Sequence, residues 1–140
     1  MIGTTHDKYE VLQKVGEGGM ATVYRGRHST LDRIVAIKIL HPHLSSSVRN
    51  RARFAREVEA IERLRHENIL EIFDYSGNDA ADCYLVMEFV EGETLTELVN
   101  RRGRLPSEIV CQIGVYLCRA LGYAHSQGVL HRDVKPENVM

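Results

Sequence analysis

The sequence predicts an α+β fold in which a strand-rich first part is followed by a helical second part. Three observations carry this. Short β-rich runs fill the first ninety residues with one helical interruption, a glycine cluster closes the first run, and from Thr94 onward apolar residues recur at helical spacing.

Taken in order, Tyr9 to Val15 reads as a strand ending at Gly16-Glu17-Gly18-Gly19, and Thr22 to Arg27 as a second strand. Leu31-Asp32-Arg33 is a turn, and Ile34 to Leu40 is a buried-strand run. His41 to Ser47 is polar loop, with serines placed to cap a helix whose stripe is Phe54, Val58, Ile61 and Leu64. Two further strands, Ile69 to Phe73 and Cys83 to Val90, flank the turn chemistry of Ser76-Gly77-Asn78-Asp79. That makes five strands and one helix. Glu91-Gly92-Glu93 then marks a boundary, so the organisation expected is 9–90 and 91–140. Thr94 and Glu97 have capping-box spacing and open a short helix, which Gly103 and Pro106 punctuate. Ser107 is placed to cap a longer helix that stops at Gly128.

Composition narrows the classes. The 140 residues are 44% hydrophobic and 26% charged with a net charge of −1, so no global basic field points to nucleic acid or an anionic membrane. Arg49, Arg51, Arg53 and Arg56 alternate with Glu57, Glu59 and Glu62, the pattern of a solvated helix face. Cys83, Cys111 and Cys118 form no CxxC pair, which fits a reduced, cytoplasmic chain rather than a disulfide framework or zinc site. His41 and His43 are two potential metal ligands on a loop without a third. No apolar run is long enough to span a bilayer.

The chemistry concentrates in three places. In Gly16-Glu17-Gly18-Gly19-Met20-Ala21-Thr22-Val23, residues without side chains let backbone N–H groups approach phosphate oxygens. A tight hairpin turn is the plain alternative. A Rossmann reading needs a helix next, and a β-pattern follows instead. Lys38 ends Val35-Ala36-Ile37-Lys38, one hairpin after the glycines, from where its ammonium could reach bound phosphates. Glu57 on the next helix either holds that ammonium or is an exposed charge paired with an arginine. The strongest pattern is His131-Arg132-Asp133-Val134-Lys135-Pro136-Glu137-Asn138, which puts a carboxylate, an ammonium and an amide in one polar loop after a helix.

In that order these motifs resemble the protein-kinase family, and most of all the eukaryotic-like Ser/Thr kinases of bacteria, from about Tyr9 to Met140. The resemblance implies a protein-kinase-like fold, with a five-stranded antiparallel sheet and one helix in the N-lobe and the first helices of an incomplete C-lobe. It implies ATP-dependent phosphorylation of Ser or Thr in a protein substrate, with magnesium. Val15, Gly16, Glu17, Gly18 and Val23 would lie along the nucleotide, and Ala36 would close the adenine pocket. Lys38 would contact the phosphates, held by Glu57. Met87 takes the gatekeeper place, and Glu88 and Val90 would offer backbone hydrogen bonds to adenine. Asp133 would accept the hydroxyl proton, Lys135 would neutralise phosphate charge, and Asn138 would hold a magnesium ion. A lysine two places after the aspartate is typical of Ser/Thr kinases.

Ala21 stands in place of a third loop glycine and Val134 in place of the usual leucine, and neither change removes a charge or a ligand. No DFG or APE motif occurs before Met140. From this the 140 residues are expected to be inactive by themselves, with an apolar side of the Ser107–Gln127 helix left for an unknown protein to cover. Two other readings stand beside the first. One is a non-catalytic module that binds nucleotide or a partner. The other is a small-molecule phosphotransferase, against which Lys135 and the full HRDVKPEN run argue.

Overall fold

A computed structural model of the chain describes residues 2–77 and 83–140. These fall into two compact units. One takes the chain to Arg63 together with Leu70–Phe89, and the other takes Leu64–Ile69 together with Val90–Met140.

The first unit is a sheet with two helices. Its strands are β1 (Thr5–His6), β2 (Tyr9–Glu17), β3 (Ala21–His28), β4 (Arg33–Leu40), β5 (Ile72–Tyr75) and β6 (Tyr84–Glu88). They pair antiparallel in the order β1-β2-β3-β4-β6-β5. The described residues thus hold six strands where the sequence predicts five. The additional one, β1, pairs Thr5 with Glu10 and His6 with Tyr9, and two residues are too few to show a period of two.

Alternation sorts the strands into two faces. Tyr9, Val11, Tyr24, Val35, Ile37, Ile39, Tyr84 and Val86 bury one face. Fully burying side chains such as Ile37 and Val86 stabilises by about 1.5–3 kcal/mol each. The polar tips of this face find carboxylates: the Tyr9 hydroxyl donates to Asp74 at 3.0 Å, and the Tyr84 hydroxyl donates to Asp7. Burial and the Asp7 hydrogen bond both push the Tyr84 phenol above its ordinary value. Gly26 on β3 has no room for a side chain, since a Cβ would lie 2.3 Å from the Ile37 Cδ1 and 2.8 Å from the Glu10 carbonyl oxygen.

On the other face, Leu40, Cys83 and Leu85 pack with Phe54 and Val58 of helix α2 (Val48–Ile61). The helix ends before two residues of its predicted stripe. Ile61 is exposed at its last position, and Leu64 lies beyond it, buried in the other unit. Ser47 takes the N-cap position without a side-chain cap bond. The predicted loop after β4 holds a single helical turn, α1 (Pro42–Ser45), which starts with a proline at its first position, where no N–H is missed. Strand β5 starts three residues later than predicted. His66 folds the preceding segment into a turn: its carbonyl accepts the Ile69 N–H at 3.0 Å, and its Nδ1 accepts the Asn68 N–H at 3.0 Å. Of the turn predicted at Ser76–Asp79, Asn78 and Asp79 lie outside the described residues.

The second unit contains α3 (Leu95–Arg102), α4 (Ser107–Ser126) and a 3-10 turn at Pro136–Asn138. The capping box on α3 forms as predicted, with Thr94 accepting from the Glu97 N–H at 3.2 Å and Glu97 accepting from the Thr94 N–H at 2.7 Å. For α4 the cap position falls on Pro106, so Ser107 opens the helix rather than capping it, and no side chain caps that end. Gly128 closes α4 at φ 76°, a left-handed conformation that glycine adopts without steric cost. Tyr123 of α4 accepts the Arg65 N–H at 3.0 Å, which docks the 64–69 segment. Only Ala120 and Ala124 of α4 are buried, and Ile109, Val110, Val115 and Tyr116 are exposed. Among the described residues no helix is long and apolar enough to cross a membrane.

Candidate active site

The first unit lines up the predicted nucleotide residues by strand register. Val23 pairs with Gly16 on one side and with Lys38 on the other, and Lys38 pairs with Leu85. Ala36 pairs with Met87. Cross-strand partners share a face, and so do residues two apart on one strand. Val23, Ala36, Lys38 and Met87 therefore stand on one side of the sheet, the side that α2 also covers. Val15 is exposed near the end of β2.

At the end of that hairpin, the Gly18 N–H donates to the Ala21 carbonyl at 2.9 Å and closes the turn. A Cβ at Gly16 or Gly19 would meet nothing within 4 Å, and at Gly18 only the Ala21 oxygen at 3.7 Å. None of the three has a positive φ. Neither crowding nor backbone conformation within the chain calls for glycine here, so the bare backbone faces open space. Lys14 hydrogen-bonds Glu17 and holds that carboxylate below its ordinary pKa.

Lys38 makes no ion pair or side-chain hydrogen bond among the described residues. It lines a small cavity of about 60 Å³ with Met20, Asn50, Arg53, Phe54 and Glu57. The expected Lys38–Glu57 pair is not formed. Glu57 instead takes the Nε–H of Arg53, one helical turn back, at 3.0 Å, which is the other pairing the sequence allowed. Of the two predicted backbone groups for adenine, the Glu88 N–H donates to the Glu71 carbonyl at 2.9 Å, which leaves the Glu88 carbonyl as its main-chain group for such a contact. Val90 lies in the second unit.

The second unit holds the other half of the predicted residues in one loop. Asp133 is its centre. Lys135 Nζ lies 3.1 Å from Asp133 Oδ2. The Asn138 Nδ2 amide donates to the Asp133 carbonyl at 2.8 Å and to its Oδ2 at 3.2 Å. His131 Nδ1 accepts the Asp133 N–H at 3.3 Å. Arg132 sits at φ 62°, an uncommon conformation for a residue with a side chain, and it sets the bend between His131 and Asp133. The Pro136–Asn138 turn brings Asn138 back over Asp133, and the Val139 carbonyl accepts the Leu95 N–H at 2.7 Å, tying the loop to the start of α3. The Lys135 ammonium, with the Asn138 amide in support, holds the Asp133 carboxyl below its ordinary value, so it is ionised at neutral pH.

With Asn138 Nδ2 committed to Asp133, the amide oxygen Oδ1 is the group left for a hard cation, which takes oxygen ligands. Among the described residues no group of three or more His, Cys, Asp or Glu is placed to hold a metal ion. That includes His41 and His43, whose rings stack 5.7 Å apart.

Sequence reasoning missed one contact at the glycine turn. His41 Nε2 lies 2.9 Å from the Gly18 carbonyl oxygen, and the His41 N–H donates to the Met20 carbonyl at 2.9 Å. The β3–β4 register, which pairs Ala21 with Leu40, is the signal that puts residues 20 and 41 side by side.

The chain matches the family model described as protein kinase domain over residues 9–140. It belongs to the protein kinase domain family. A probable serine/threonine-protein kinase of Clostridium perfringens is 42% identical over 96% of the chain, which covers 19% of that protein. The serine/threonine-protein kinase Pkn3 of Myxococcus xanthus is 40% identical over 95% of the chain and 24% of its own length. The crystal structure of the Mycobacterium tuberculosis PknI kinase domain superposes with a TM-score of 0.82 at 35% identity, over 99% of this chain and 56% of that one. The kinase-like fold class expected from the motifs holds. The chain spans about a fifth to a third of the length of the curated relatives it matches, and little more than half of the crystallised kinase domain.

Proposed function

We propose that this chain supplies the nucleotide-binding and catalytic-loop parts of a Ser/Thr protein kinase, with residues 9–90 as the nucleotide lobe and 91–140 as the start of the catalytic lobe. The observation that carries the reading is Lys38. Among the described residues it is a cation with no ion pair or side-chain hydrogen bond, in strand register with Val23 and on the face that also holds Ala36 and Met87. A lysine in register with the strand that also pairs with Gly16 suits an anionic ligand, and the phosphates of ATP match it.

In this reading Val15, Gly16, Glu17, Gly18 and Val23 lie along the nucleotide. Ala36 and Met87 bound the adenine, and Glu88 and Val90 offer main-chain groups to its edge. Magnesium, when bound, would supply positive charge to the phosphates, and Asn138 Oδ1 is the atom of this chain that would hold one such ion. Asp133, an ionised carboxylate at neutral pH, accepts the proton of a Ser or Thr hydroxyl, a role worth about 10²–10⁴-fold in rate. Lys135, already at the Asp133 carboxylate, carries a positive charge to where the transferred phosphoryl group would be negative. Glu57 is the carboxylate that would steady Lys38. Cys111 and Cys118, exposed and in no disulfide among the described residues, suit a reducing, cytoplasmic setting.

The test is calorimetric titration of the chain with ATP and magnesium, against Lys38→Met. Removing a charge-assisted contact should weaken binding by at least about tenfold, from the roughly 1.5–3 kcal/mol of a hydrogen bond to a charged group. Adenosine, which lacks phosphates, should bind both proteins equally. Equal ATP affinity in the two would overturn the assignment of Lys38 to the phosphates.

A further inference from the structure

We propose that His41 is a positioning residue for the glycine turn, one that aims the Gly19 N–H as an anion donor. The proposal rests on the nucleotide reading above for the identity of the anion, and on geometry within one unit for the rest.

A carbonyl oxygen can only accept, so the 2.9 Å contact between His41 Nε2 and the Gly18 oxygen requires a proton on Nε2. The main-chain N–H of the same residue donates to the Met20 carbonyl at 2.9 Å. One residue therefore holds two carbonyls of the turn, on either side of Gly19. The His41 ring is itself steadied by the His43 ring stacked on it, 5.7 Å away at 14°.

The consequence follows from peptide planarity. In a trans peptide unit the C=O and the next N–H point in opposite directions, and no cis peptide bond occurs among the described residues. Fixing the Gly18 carbonyl toward His41 therefore fixes the Gly19 N–H away from it. That N–H has no hydrogen-bond partner among the described residues. A Cβ at Gly19 would meet nothing within 4 Å, so neither a side chain of its own nor a neighbour at that position stands between this residue and an approaching oxyanion. Without the ring contact, the Gly18–Gly19 peptide plane is free to rotate, since glycine imposes little on either side of it. The donor would then have to be oriented at the moment of binding, at an entropic cost that pre-organisation removes.

The variants are His41→Ala, which removes the ring, and His41→Gln, whose side-chain amide restores an N–H at similar reach. ATP with magnesium and adenosine are titrated into each by calorimetry. His41→Ala should weaken ATP binding about three- to tenfold, the range of one net hydrogen bond. His41→Gln should recover most of that loss, and adenosine should bind all three proteins equally. Equal loss of ATP and adenosine affinity, or no change in either, overturns the proposal. A ligand-free measurement on the wild type stands beside it. Long-range nitrogen NMR of the His41 ring should show the proton on Nε2, and the backbone order parameter of the Gly19 amide should fall in His41→Ala but not in His41→Gln. A ring with its proton on Nδ1 alone sinks the proposal even if the alanine variant does not fold. If the wild type binds neither ATP nor adenosine, the nucleotide reading fails, and the NMR result alone decides whether His41 orients the turn.

Discussion

The His131–Asn138 loop and the Lys38 region each place a lysine and a carboxylate near one another, yet only the loop has closed such a pair. Lys135 meets Asp133 at 3.1 Å. Lys38 and Glu57 border the same small cavity and do not pair. The difference is one of locality. Asp133 and Lys135 are two residues apart, and the 3-10 turn that adds Asn138 is three residues long. Such contacts cost little loop-closure entropy. Lys38 and Glu57 sit nineteen positions apart on a strand and a helix, so their pairing depends on where α2 lies against the sheet. Arg53, one turn away on the same helix, needs no such placement and takes Glu57 first.

If locality explains the contrast, the two regions should respond differently to substitution. The largest effect belongs to the sheet that carries Lys38. Ile37→Ala, next to Lys38 but on the buried face, removes a fully buried side chain and should destabilise by about 2–5 kcal/mol. Asp133→Asn, on an exposed loop, should change stability by no more than about 0.5 kcal/mol. Urea unfolding of both variants checks this. Comparable midpoints for the two would break the contrast, because the loop would then share the sheet's cooperative core.

Acid provides a second, smaller test. Lys135 holds the Asp133 carboxyl below its ordinary value. A group whose folded pKa is lowered contributes stability that is present above its unfolded value and lost as pH falls through the folded one. The window is therefore below about pH 3.9, the unperturbed aspartate value. Carboxyl carbon NMR should show Asp133 titrating below that point, and Lys135→Met should move it upward. An unmoved titration in the variant would mean that Lys135 is not the cause.

The same distinction decides what could be read from the sequence. The loop was legible because its chemistry and its contacts occupy one stretch from His131 to Asn138. The strands were legible where β-rich or apolar runs were long enough, as in β3 and β4. Three features depended on something no periodicity records. The two-residue β1 is held by partners on β2 rather than by its own pattern. The start of β5 was hidden because His66 bends Glu67 to Ile69 into a turn despite the apolar run that follows. The hold of His41 on the glycine turn arises from strand register, which brings residue 41 beside residue 20. A histidine in His-Pro-His reads as a loop residue until that register is known.

The smallest effect sharpens the comparison most, because it acts on the competition itself. Arg53 and Glu57 form an exposed i,i+4 pair, with side chains 72% and 51% accessible. Pairs of this kind contribute only about 0.3–0.5 kcal/mol. So weak a bond can delay but not prevent Glu57 from turning to Lys38 across the cavity both border. Arg53→Gln keeps the helix propensity and removes the competitor. Stability should fall by no more than that few tenths, while ATP affinity with magnesium should rise by up to about twofold, the same free energy returned to the nucleotide site. The paired variant Arg53→Gln with Glu57→Gln should lose the gain, because the freed carboxylate is what would produce it. If the single variant binds ATP no better than the wild type, Arg53 is not what keeps Glu57 from Lys38, and the position of α2 against the sheet is.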